Sequence, residues 1–289
     1  MTDTTQIRLV RADNPGPLTG TGTNTWLIGR GDVAVIDPGP AQGAHLAAIL
    51  AALAPDERIS HILLTHTHLD HSALVPDLVR VTGAVTAGFG RAKDGRSAVM
   101  QRLAGMGLAD GGEGIDHDFA PDITLVDGAV VAGDSWSVTA LHTPGHAATH
   151  LCFVTGRQLF CGDHVMAWSS SLISPPDGDM ADYMTALLRL QAGDWDQAFP
   201  GHGPIITQPQ HRMAALHAHR LQREAEVLGA VAVKGMGLRA LTAMLYHDVP
   251  AALHPAASRN VLAHVIDLFG RNLVACDNLC AADPVVTKP

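Results

Sequence analysis

The chain has 289 residues, enough for one large or two modest domains. Its 47% apolar and 16% charged side chains describe a globular protein rather than a disordered one. A formal charge of −9 argues against a generic nucleic-acid binder, and no apolar run approaches the roughly 18–20 residues of a membrane span.

Histidine stands out, with 17 copies against 4 Cys, 4 Trp and 2 Tyr, and it directs attention to metal chemistry. The first residues carry no apolar stretch of the secretory type. Cys152, Cys161, Cys276 and Cys280 are too scattered for a disulfide framework, so reduced thiols and a cytoplasmic location are expected. Charge is uneven. Residues 1–204 hold 11 basic and 22 acidic side chains, and residues 205–289 hold 8 and 6. Arg212, Arg220, Arg223, Lys234, Arg239, Arg259 and Arg271 leave room for a local anionic footprint there.

Short runs rich in Val, Ile and Leu, bounded by Gly, Pro or Asp, predict strands at 25–28, 33–36, 59–64, 84–87, 123–126, 137–141, 151–154 and 158–160. Helices are expected at 42–53, 72–81 and 180–192, the last capped by Asp179. Residues 90–118, with glycines at 90, 95, 105, 107, 111, 112 and 114, predict a surface loop of the lid or binding type holding one short helix at 98–103. A second loop follows at 169–179. Beyond Pro209 three helices are expected at 210–231, 235–245 and 258–269. Val261, Val265 and Leu268 share one face of the last. The mixture is α/β or α+β, with a division near residues 204–209 that gives domains 1–207 and 208–289.

The informative feature is what stands at the ends of the apolar runs. ISHILLTH ends on His66, WSVTALHTPGH on His146, QLFCGD on Asp163 and QAFPGH on His202. Ligand sites on layered sheets lie beyond the carboxyl ends of strands, where rigid elements place the side chains. The densest group is His66-Thr67-His68-Leu69-Asp70-His71. Three imidazoles and a carboxylate in six residues suit zinc or another borderline metal.

HTHLDH resembles the H-x-H-x-D-H motif of the metallo-β-lactamase superfamily. TPGH at 143–146, GD at 162–163 and PGHG at 200–203 match its later motifs in order, and the resemblance spans about residues 20–204. It implies an αββα sandwich of two mixed sheets flanked by helices. It also implies a first metal held by His66, His68 and His146, a second by Asp70, His71 and His202, and Asp163 bridging them. Asp37, in VAVIDPGP, falls at the early Asp-x-Gly motif and is expected to fix a ligand imidazole from behind. His164, beside Asp163, is a further candidate for that role. The stretch NPGPLTGTGTNTWLIG and the helical tail are similar to the β-lactamase-like-protein-2 branch, which carries a winged-helix-like C-terminal domain and has animal members associated with cleavage of single-stranded RNA. That branch usually has Ser-Gly-Gly after the histidine motif, where this chain has Ser72-Ala73.

The expected function is a hydrolase with two divalent ions, zinc first among them, iron or manganese also suiting the donors. A metal-bound hydroxide would be the nucleophile, with Asp70 orienting it. Substrates in view are a small ester or thioester, or single-stranded RNA, with no membrane partner. The competing reading is a nucleic-acid- or partner-binding module with a structural metal and no turnover. Structural zinc sites are usually thiolate-rich, and this cluster is not.

Overall fold

The computed structural model describes residues 5–111, 114–233 and 235–289, so Gly112 and Lys234 of the readings above lie outside the described residues. Two mixed sheets face each other. The first sets β1 (Ile7–Arg11), β2 (Asn24–Ile28), β3 (Asp32–Ile36), β4 (Arg58–Leu63), β5 (Val85–Gly88) and β6 (Ile123–Thr124) side by side in chain order. Its pairs are antiparallel from β1 to β3 and parallel from β3 to β6. The second is built from β7 (Val130–Ala132), β8 (Ser137–His142), β9 (Leu151–Thr155), β10 (Gln158–Gly162) and β11 (Gln197–Pro200), again in chain order, with β10 and β11 as its parallel pair.

The central strands read as continuous apolar runs because both their faces are buried. On β2, Trp26 and Ile28 enter the packing between the sheets, while Leu27 enters the packing under α1 (Gly43–Ala51) and α3 (Val75–Thr82). Ala34 and Ile36 against Val33 and Val35 repeat the alternation on β3. On the second sheet Phe153 and Phe160 face the first sheet. Cys152, Leu159 and Cys161 face α5 (Met180–Gln191) and the first half of α6 (Pro209–Val233). The result is the αββα layering that the motifs imply. Asp179 caps α5 as expected, accepting from the amide of Ala181.

Three expectations change. The single helix at 72–81 is two, α2 (Leu69–Ser72) and α3, because Pro76 has no N–H to continue the ladder. The 90–118 segment is not a free surface loop. Its helix α4 (Ala98–Gly105) sends Met100 and Leu103, with Leu108 beyond it, into a core shared with Val227 and Val231 of α6, Leu241 of α7 (Leu238–Leu245), and Val261 and Val265 of α8 (His254–Gly270). Its far leg is tied to the histidine-rich turn. Leu69 N donates to Gly114 O, Asp116 N to Thr67 O, and Ser72 Oγ to Asp116 Oδ2. The third change is in the tail, where three short strands, β12 (Met236–Gly237), β13 (Ala275–Cys276) and β14 (Val285–Thr287), form a small sheet in the order β12-β14-β13. Runs of two or three residues carry no periodicity to detect. No helix among the described residues is long and apolar enough to cross a membrane.

Candidate metal centre

Four strand ends converge on one place. Leu64 and Thr65 carry the chain from β4 to His66. His68 is the N-cap of α2, and Asp70 and His71 lie on its single turn. His146 follows the turn after β8, Asp163 directly follows β10, and His202 stands two residues past β11. Nε2 of His66 and Nε2 of His146 each lie 3.1 Å from Nδ1 of His68. On the other side, Nε2 of His202 is 3.1 Å from Asp70 Oδ2 and 3.3 Å from Asp163 Oδ2, and Nε2 of His71 is 3.5 Å from Asp163 Oδ1. All seven residues named from the motifs therefore meet, with His66, His68, His71, His146, Asp163 and His202 buried and Asp70 half-buried.

Each imidazole is also gripped from behind. His66 Nδ1 contacts Thr65 Oγ1 at 3.0 Å, and His146 Nδ1 contacts Leu172 O at 2.6 Å. His202 Nδ1 contacts Gly22 O at 3.3 Å, and His71 Nδ1 contacts Asp37 Oδ2 at 3.0 Å. His68 is turned the other way, with Nδ1 inward and Nε2 3.4 Å from the buried carboxylate of Asp177. A fixed partner on one ring nitrogen sets the tautomer and leaves the other nitrogen's lone pair aimed at the centre. Asp37 does more than hold His71. Its two oxygens accept from the amide and hydroxyl of Thr65, and its φ of 51° puts it in the left-handed region that Asp tolerates better than most residues.

The electrostatics divide the centre. Burial lowers the His66 pKa well below the ordinary imidazole range, helped by neighbouring histidines, and lowers that of His146 to about 4. Burial also opposes charge on His71 and His202. The facing carboxylates overcome it, raising His71 well above its usual value and His202 to about 9. The same pairing outweighs burial at Asp70, whose carboxyl falls to about 2. His66 and His146 are thus neutral imidazoles, while His68, where the Asp177 carboxylate outweighs burial, joins His71 and His202 in holding a proton that an incoming cation would displace.

Whether the residues fit metal can be judged from their unmet valences. Three overlapping sets, His66–His68–His146, His66–His71–Asp163 and Asp70–His71–His202, each bring ligand atoms within 4.8 Å of one another. His71 Nε2 and Asp163 Oδ1 are buried with no hydrogen-bond partner, a costly state that a shared cation would relieve. The donor set of imidazole and carboxylate suits zinc, iron or manganese.

Residues 18–202 match the family model described as the metallo-beta-lactamase superfamily. The chain belongs to the metallo-β-lactamase superfamily. Residues 238–278 match a second model, the beta-lactamase associated winged helix domain. The chain is 28% identical over 272 residues to an atrochrysone carboxyl ACP thioesterase of Aspergillus chevalieri, covering 92% of this chain and 79% of that protein. In three further thioesterases of that name the matched stretch is 62–66% of their length. The chain is also 30% identical to the beta-lactamase-like protein 2 homolog of Caenorhabditis elegans, covering 88% and 81% of the two chains. A beta-lactamase domain protein from Burkholderia ambifaria has the same fold, with a TM-score of 0.80 at 20% identity over 99% of this chain and 94% of that one. The protein is accordingly an enzyme of the metallo-β-lactamase fold, in the hydrolase class.

The metallo-β-lactamase centre opens into a cavity of about 620 Å³. His68, Asp70, His146, Asp163 and His202 stand in its wall, and the C-terminal helices close it with Arg223, Tyr246, Leu253 and Ala257 among others. Several readings of the sequence shift here. His164 makes no ring hydrogen bond to the seven residues. Both its nitrogens are unpartnered, and its ring packs on Tyr183 and His150, one layer back. Sequence reasoning missed Asp177 and Leu172, whose loop carries no signal beyond its turn residues. Among the C-terminal arginines that left room for an anionic footprint, Arg212 and Arg220 turn inward and Arg271 is paired at the surface. Arg212 donates to Met166 O and Ser169 O, Arg220 to Ser171 O, and Arg271 pairs with Glu224 and Asp267.

Proposed function

We propose that the protein is a dinuclear metal-dependent hydrolase of bulky, apolar ester or thioester substrates. His66, His68 and His146 hold the first ion, Asp70, His71 and His202 the second, and Asp163 bridges them. Two divalent ions in this position supply Lewis acidity at the scissile carbonyl and lower the pKa of water toward ~7. Zinc is the first candidate, with iron and manganese as alternatives that elemental analysis separates. Asp70, half-exposed to the cavity and held ionised, accepts a hydrogen bond from the attacking water and orients it. Asp37 and Asp177 keep His71 and His68 aimed inward.

The observation that carries the choice of substrate is the cavity lining. Beyond the metal ligands Leu18, Met166, Trp168, Leu172, Val249 and Leu253 give the wall its apolar part, beside the polar Ser169, Ser170, His219, Asp248 and Asn260. Such a wall takes an acyl group with apolar bulk by burying its surface. A polyanionic strand asks instead for several unpaired cations. Arg223, which lines the cavity, already pairs with Glu226 and stacks on Tyr246. The thioesterase relatives support the same reading. We further propose the division into a metal-binding unit, residues 1–207, and a C-terminal unit, residues 208–289. A cytoplasmic location accords with four free cysteines.

The test is hydrolysis of a panel by protein loaded with zinc, iron or manganese: an aryl thioester, a short-chain ester, a lactone, a cephalosporin and a single-stranded RNA oligomer. Thioester or ester turnover that is lost in His66→Ala and Asp70→Ala is the expected result. RNA cleavage without thioester turnover overturns the substrate assignment. A protein that takes up no metal overturns the whole reading.

A further inference from the structure

The loop between β10 and α5 carries two of the groups that aim the first metal's imidazoles. Leu172 O receives His146 Nδ1, and Asp177 faces His68 Nε2. The loop has no regular structure of its own over residues 169–174. What fixes it comes from the other end of the chain. Arg220 of α6 donates through Nη2 to Ser171 O and through Nη1 to Asn260 Oδ1 of α8. The same Asn260 oxygen accepts from Ile173 N at 3.0 Å. Leu172 is thus bracketed, the residue before it held by Arg220 and the residue after it by Asn260. Arg259 adds a bond to Ser174 Oγ at 2.9 Å.

Arg220 is 1% exposed, and among the described residues it forms no ion pair with a carboxylate. Burying a guanidinium without an opposite charge is strongly unfavourable. Here only two oxygens and the face of Tyr183, 5.2 Å away, offset that cost. An apolar side chain would pack α6 against α5 and α8 without that cost. The position favours a donor because two loose acceptors must be held at once.

We propose that Arg220, together with Asn260, is a positioning residue for the first metal: the C-terminal helices set the direction of His146 and His68 by clamping the 171–177 loop. This rests on the dinuclear reading above, and it makes the C-terminal unit part of the metal centre rather than an appendage beside it.

The test is cobalt titration of Arg220→Met, Asn260→Ala and Arg220→Lys, read by visible absorption and by competition with a chelator, with circular dichroism as the check on folding. Arg271→Met, which breaks two ion pairs in the same unit away from the loop, is the comparison. In Arg220→Met and Asn260→Ala the first equivalent of cobalt is expected to bind roughly 10- to 100-fold more weakly, with a changed d–d spectrum, while Arg271→Met matches the wild type. Arg220→Lys, able to reach Ser171 O but not to fork to Asn260, is expected to recover part of the affinity. Should Arg220→Met fail to fold, Asn260→Ala decides. Folded variants with wild-type cobalt affinity and spectrum overturn the proposal. A wild-type chain that binds no cobalt overturns the dinuclear reading instead, so the two failures are distinct.

Discussion

Gly201, between β11 and His202, is the residue on which the spacing of the centre turns. A Cβ there would stand 2.3 Å from Asp163 Oδ1 and 2.6 Å from His71 Cε1. The backbone cannot retreat, since Gly201 N donates to Gly162 O and Gly201 O accepts from Asn24 N. Gly201→Ala is therefore expected to fold but to bind metal at least tenfold more weakly, measured by chelator competition. Asp37 makes a subtler case. Its Oδ2 accepts from both Thr65 Oγ1 and His71 Nδ1 while Oδ1 accepts from Thr65 N. In Asp37→Asn the amide nitrogen must face a donor. Affinity for the second metal is expected to fall roughly 10- to 100-fold with little change in the circular dichroism.

Among the elements, α8 carries an unusual burden. His264 is 1% exposed, and neither ring nitrogen has a partner. Burial, with Arg220, Arg223, His219 and Arg271 nearby, lowers its pKa to about 3. The ring is neutral when folded and titrates near 6.5 when unfolded. Its contribution is therefore complete above about pH 6.5 and is lost as the pH falls toward 3, by up to ~1.4 kcal/mol per pH unit. His264→Leu is expected to flatten that acid limb and to raise the urea midpoint at pH 5, with a smaller effect at pH 8. An unchanged slope would show that other groups govern the acid limb. In α2 and α3 the lesson is local. Pro76 ended the first helix, and the short turn it left is the one that carries Asp70 and His71.

For the whole molecule the decisive element is α6. Met213 and Leu216 complete the packing on the second sheet, and Val227 and Val231 complete the packing of the C-terminal unit. The 90–118 segment is anchored to that same unit through Met100, Leu103 and Leu108. A chain ending at residue 207 would leave both surfaces bare, including Leu187 and Leu190 of α5. It is expected to be recovered aggregated and without stoichiometric metal, as read by size-exclusion chromatography and elemental analysis. A monomeric, metal-loaded fragment would mean that the C-terminal unit is dispensable for the centre.

Four of the seven converging side chains, His66, His146, Asp163 and His202, were legible in the sequence because each follows an apolar run that the strands bury on both faces, and His68, Asp70 and His71 because they crowd the turn after His66. The order of the motifs carried the layered fold with them, and Asp37 could be placed for the same reason. At 90–118 glycine marked a surface segment with one short helix, and composition could not show that Met100, Leu103 and Leu108 pin it to the C-terminal core. In the tail composition left an anionic footprint open, and the loop carbonyls of Met166, Ser169 and Ser171 take up two of its arginines, Arg212 and Arg220. Leu172 acts across 26 residues of chain, Asn260 across 87 and Asp177 on His68 from still further along, with no periodicity or spacing to mark them. Local sequence determined which residues stand at the strand ends, since that follows from burial and turn chemistry. Only the tertiary structure decided what grips them from behind and what closes the cavity, because those contacts exist only when distant elements pack.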